Sequence, residues 1–104
     1  MLVAYQVSLD LVRKLRPIVL DIHKHDTHLA DQLMRAATRT VLNLAEGQRR
    51  KAGNKRQSFE IAHGEAFEVL GALDAALAWG WCTDATSACA TLDRLLGLLW
   101  GLTN

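Results

Sequence analysis

Five cations crowd into eight residues at Arg49, Arg50, Lys51, Lys55 and Arg56, with no acid among them. Side chains of this kind contact phosphate, which makes the segment a candidate nucleic-acid site. No aromatic residue interleaves the charges, so such binding is expected to depend on salt and to read little sequence. The plainer alternative is a solvated turn whose charges complement the end of a preceding helix.

Just before the turn, Asn43, Glu46 and Gly47 lie in a helical pattern, and Gly64 and Glu68 follow in the next one. Asn43 and Gly47 share a stripe with Ala36 and Thr40, so the Asn43 amide is expected at a core or interface. Glycines inside helices are tolerated where another helix approaches closely, which predicts such a crossing near Gly47 and Gly64. Glu68 stands among apolar neighbours and would need Arg35, Asn43 or a group from another subunit. These polar residues read first as determinants of bundle register. The functional alternative is a polar cleft lined by Asn43, Glu46 and Glu68.

Other chemistry has less support. His23, His25 and His28 straddle a helix-to-loop boundary without the helical spacing of a metal site, and His63 is isolated, so no metal or cofactor is expected. Cys82 and Cys89 have neither redox nor zinc spacing and read as buried or partly buried thiols. No Ser sits in a nucleophile elbow, and neither Cys has a His nearby in sequence, so no catalytic residues are assigned and no enzyme is expected.

Four amphipathic segments must position these residues. Val7, Leu11, Leu15, Ile18, Val19 and Ile22 stripe the first, about Val3 to Lys24, in which Pro17 predicts a kink or, alternatively, two short helices. Asp26 or Thr27 caps the second, whose face is Leu29, Leu33, Ala36, Ala37, Thr40 and Leu44, and Gly53-Asn54 ends its pattern. The third starts near Asn54 to Ser58, with Phe59, Ala62, Ala66, Leu70, Leu73 and Leu77 as its stripe. Thr83 or Asp84 caps the fourth, which is rich in leucine. With short connections and no strand signal, the chain is expected to be all-α, an up-down-up-down antiparallel four-helix bundle forming one domain over 1–104.

Composition narrows the class further. Half of the 104 residues are apolar, and Trp79, Trp81 and Trp100 fall in segments too apolar for a lone bundle, which favours self-association. A net charge of +1 gives no global pull toward nucleic acid, leaving the basic turn as the only local one. The N-terminal residues lack the pattern of a signal peptide, and no apolar run is long enough to span a bilayer, so a cytoplasmic protein without membrane contact is expected.

Gln32-Leu33, Arg35-Ala36-Ala37, Asn43-Leu44-Ala45-Glu46-Gly47, Ser58-Phe59, Ile61-Ala62-x-Gly64 and Glu68 together resemble a known family. It is that of the bacterial four-helix-bundle proteins first described as encoded in 23S rRNA intervening sequences, with the accessory variability determinant protein of diversity-generating retroelements as a distant relative. The resemblance covers roughly residues 5 to 102. It implies a homopentamer without enzymatic activity and, from the retroelement relative, contact with RNA or a nucleic-acid-handling protein. A structural or adaptor oligomer with protein partners only is the alternative. The chain departs from the family pattern at Arg39, Val41 and Leu70, where a small residue, Pro and a second Glu are common. Val41 implies a straighter second helix, and Leu70 puts in doubt any role that needs paired carboxylates on the third.

Overall fold

The computed structural model describes residues 2–104 as four α-helices: α1 (Val3–His23), α2 (Thr27–Arg49), α3 (Ala52–Trp79) and α4 (Thr86–Thr103). Each helix packs against its neighbours in the order α1, α2, α3, α4 and back to α1, consistent with the expected up-down bundle. The 28 residues of α3 rise about 42 Å, and the molecule measures 42 × 22 × 20 Å. One helix length thus separates the basic turn from the opposite end, where the α1–α2 and α3–α4 connections lie.

The stripes read from the sequence form the core, with one shift. Leu11, Leu15, Ile18 and Ile22 of α1 meet Leu33, Ala37 and Leu44 of α2, and Leu92, Leu95 and Leu99 enter from α4. On α3 the buried stripe runs through Phe59, Ala62, Ala66, Val69, Leu73 and Ala76, while Leu70 is only partly buried and Leu77 is exposed. Alanines at three of those six positions let α3 lie close to its neighbours, turning the larger side chains toward the flanks. Trp79 and Trp100 are exposed, and Trp79, Trp81 and His25 form a near-parallel stack outside the core, with centroids 5.4 and 6.0 Å apart.

Helix ends follow local chemistry. Asp26 caps α2 by accepting the Leu29 amide at 3.0 Å. Gly80 takes the left-handed conformation at φ 76°, and the Trp81 amide reaches back to the Ala76 carbonyl at 2.9 Å, closing α3. α1 runs unbroken through Pro17, so the alternative of two short helices does not hold. Pro17 lies on the exposed side, where water can reach the carbonyl left without a helical donor. Ala85, not Thr83 or Asp84, occupies the cap position of α4, although Asp84 Oδ1 still accepts the Thr86 amide at 3.4 Å.

Leu33, Leu44 and Leu73 are each fully buried. Replacing any of them with Ala should cost ~2–5 kcal/mol, read as a lower midpoint in urea unfolding with an unchanged slope.

Candidate nucleic-acid interface

Only Arg50 and Lys51 separate α2 from α3, both in extended conformation. The third helix therefore begins at Ala52, earlier than the Asn54 to Ser58 start read from the sequence, and Gly53-Asn54 falls in its first turn instead of breaking the chain. Ala52 carries the reversal with φ at 47°, a left-handed geometry that costs an L-residue on the order of 1 kcal/mol. Packing beneath the turn compensates for this. Phe59 packs directly against Gly47: a Cβ there would collide with Cε1 of the ring and lie 2.7 Å from Cδ1. Gly47 therefore needs its missing side chain, and the close approach expected at this position is present.

Several hydrogen bonds and ion pairs fasten the same end. Gln48 Oε1 accepts the Leu2 amide at 3.2 Å, tying the start of α1 to the end of α2. Arg50 Nε lies 3.0 Å from Glu46 Oε1, and Arg49 Nη1 lies 3.8 Å from Glu46 Oε2. Arg56 donates to Glu60 at 3.0 Å and, through Nη2, to the Thr103 carbonyl at 3.0 Å, clasping the last turn of α4. That carbonyl sits at the negative end of the α4 dipole, where a cation is favoured.

The five cations thus divide into two groups. Arg49, Arg50 and Arg56 are engaged within the chain, whereas exposed Lys51 and half-buried Lys55 have no carboxylate partner among the described residues. Lys51 is itself the cap residue of α3, whose first turn holds neither a side-chain cap nor an acid. Free amides at a helix start and two unpaired ammonium groups create the same preference, for an anion. Beside them, a cavity of about 330 Å³ opens between the two helix ends, lined by Ala52, Lys55, Arg56, Leu102 and Asn104 among others.

The motif residues do not converge on a cleft. Asn43 is only partly buried and donates to the Arg39 carbonyl of its own helix at 2.9 Å, leaving no demand for a core partner. Glu46 faces the turn. Gly64 has open space around it, so no close crossing occurs there, and Glu68 and Arg35 are exposed. The carboxylate that α3 turns inward is Glu65, whose side chain is 15% exposed and 3.9 Å from Arg39 Nη1. Its Oε2 is buried without a hydrogen-bond partner. Burial and the nearby Glu68 charge raise the Glu65 pKa above the ordinary carboxylate value, with Arg39 opposing. Arg39 thus partly offsets the charge of a carboxylate that sequence reasoning missed. The signal available was its helical spacing, three residues after Ala62 and four before Val69, both of which are fully buried.

Among the described residues, no three His, Cys, Asp or Glu side chains gather as a metal site. His25 stacks on Trp81, while His63 lies 5.1 Å from the Phe67 ring and 3.4 Å from Thr103 Oγ1. Cys82 is buried and Cys89 half-buried, both free, with desolvation raising each thiol above its ordinary value. None of the described helices is long and apolar enough to cross a membrane.

The family model of the 23S rRNA-intervening sequence protein matches residues 1–99, and the chain belongs to that family. No curated protein and no solved structure matches it.

Gly47→Ala should destabilise the fold by about 1–3 kcal/mol through overpacking against Phe59. In a Phe59→Leu background the same substitution should cost at least about 1 kcal/mol less, a coupling measured by a double-mutant cycle in denaturant.

Proposed function

We propose that this member of the 23S rRNA-intervening sequence protein family is a non-enzymatic, homo-oligomeric, cytoplasmic protein that contacts RNA phosphates through its α2–α3 turn. The observation that carries this reading is the unneutralised pair Lys51 and Lys55 beside the uncapped start of α3. Arg49 and Arg50 add to the same field, being exposed and shared with a single carboxylate, Glu46. Arg56 serves a different purpose in this reading. Its bonds to Glu60 and Thr103 hold the neighbouring helix end in place.

Self-association is supported by the large apolar side chains left in solvent, including Leu20, Leu42, Phe67 and Trp100. A pentameric order follows from the family resemblance. Copies of the turn brought to one side of an assembly would act multivalently, so modest contacts by each could sum to useful affinity.

Fluorescence anisotropy with a structured RNA, measured across a salt series, tests the reading. Binding should weaken steeply with salt, and Lys51→Ala and Lys55→Ala should each lower the log–log salt slope by about 1. Arg56→Ala should lower the melting temperature instead. Affinity that ignores salt, or no affinity at all, contradicts the reading, and recovery of protein partners without nucleic acid would favour the adaptor alternative.

A further inference from the structure

A groove of about 450 Å³ runs between α1 and α2, away from the basic turn. Its floor is Leu15 and Ala37, both buried, and Val19, Leu20 and Met34 rise beside them. Leu20 is 67% and Met34 50% exposed, so the helices leave these side chains for something else to cover. A largely apolar hollow between bundle helices, with a few polar groups to fix orientation, is the usual form of a small-molecule site. Thr38, which also lines it, precedes Gly47 by nine residues, or about 14 Å along α2. The groove is thus separate from the cations of the turn.

Arg16 and Thr38 are its polar lining residues, and no acid lines it. The bond from Leu2 to Gln48 sets the start of α1 beside the end of α2, so the two helices run antiparallel. Side chains tilt toward the N-terminus of their own helix, and Arg16 and Thr38 therefore lean toward each other along the groove. Lys14 and Lys24 of α1 are paired with Asp10 and Asp21, whereas Arg16 has no carboxylate partner among the described residues. A guanidinium fork matches the two oxygens of a carboxylate, and a hydroxyl donates to the same group. From there toward Leu20 and Met34 the lining is hydrocarbon. A neutral apolar molecule would leave Arg16 unused, and a small polar anion would leave Leu20 and Met34 in water.

We propose that the α1/α2 groove binds a medium-chain aliphatic carboxylate, its head on Arg16 and Thr38 and its tail over Leu15 and Ala37 against Leu20 and Met34. The inference goes beyond the RNA contact and rests on no part of it. Leu42, Phe67 and Trp100 stay exposed when the groove is filled, so contacts between copies keep apolar surface of their own. Head and tail are held by different residues, which lets the two contributions be measured apart. A methylene taken wholly out of water tightens binding about fourfold, and in a half-open groove roughly twofold. A charge-assisted hydrogen bond adds about tenfold.

Titration with hexanoate, octanoate and decanoate below their micelle concentrations tests this, read on the methyl resonance of Met34, one of two methionines in the chain. The Met34 signal should move and saturate, with affinity rising about two- to fourfold per added methylene. Arg16→Gln should weaken octanoate about tenfold and leave 1-octanol unchanged. Arg13→Gln, at an exposed cation outside the groove, should alter neither. Leu20→Glu should abolish binding of both, with Leu20→Ala, expected to weaken both, as the second variant should circular dichroism show that the first fails to fold. A Met34 signal that no carboxylate moves would overturn the proposal, whether the groove stands empty or a second copy of the chain covers it. Affinity without dependence on chain length would also overturn it, as would equal losses in the Arg13 and Arg16 variants, the mark of a general attraction for anions. The RNA contact is judged separately by its own salt series.

Discussion

The aromatic ring of Phe59 seated on Gly47 is the constraint from which the basic end of the molecule takes its form. Without a side chain at Gly47, α2 and α3 approach closely enough for only two residues to join them. So short a connection must reverse the chain abruptly, and Ala52 accepts a left-handed backbone to do so. The local cost is small beside the burial of a large aromatic side chain, worth roughly 1.5–3 kcal/mol. Any bulk at Gly47 would press on that ring and through it on the turn.

Brevity of the turn also decides its electrostatics. A two-residue connection puts the last carbonyls of α2 and the first amides of α3 within the same small region, each wanting opposite charge. Arg49 and Arg50 answer the first and are restrained by Glu46; Lys51 and Lys55 stand at the second, where a cation is not neutralised by the helix. The result is a positive edge with part of its charge already used for structure. Composition counts five equivalent cations, whereas geometry distinguishes an arginine clasp from two available lysines.

Much of the architecture was legible because helical periodicity reports burial directly. Leu33, Leu44, Leu92 and Leu95 fall where three- and four-residue spacing puts them, and Asp26 caps as its side-chain chemistry dictates. Gly47 was legible for the same reason, as a small residue inside an apolar stripe. Gly64 carried an identical signal and proved to have open space around it, since sequence does not say which face of a nearly all-apolar helix turns inward. That ambiguity also hid Glu65 behind Glu68 and shifted the α3 stripe from Leu70 to Val69. Asn43 misled differently: it is only partly buried and donates to its own helix backbone, where a core partner was expected. Exposure of Trp79 and Trp100 lies beyond periodicity altogether, because an assembly can bury what one chain leaves open.

Central to this account is a turn held rigid by packing and presenting unpaired lysines to phosphate. Amide chemical-shift mapping during titration with a structured RNA examines that claim residue by residue. Shifts should concentrate at residues 49–56 and at the end of α4 beside them, with little change at the His25, Trp79 and Trp81 stack one helix length away. Shifts centred on that stack, or none at the turn when the RNA is in excess, would contradict it.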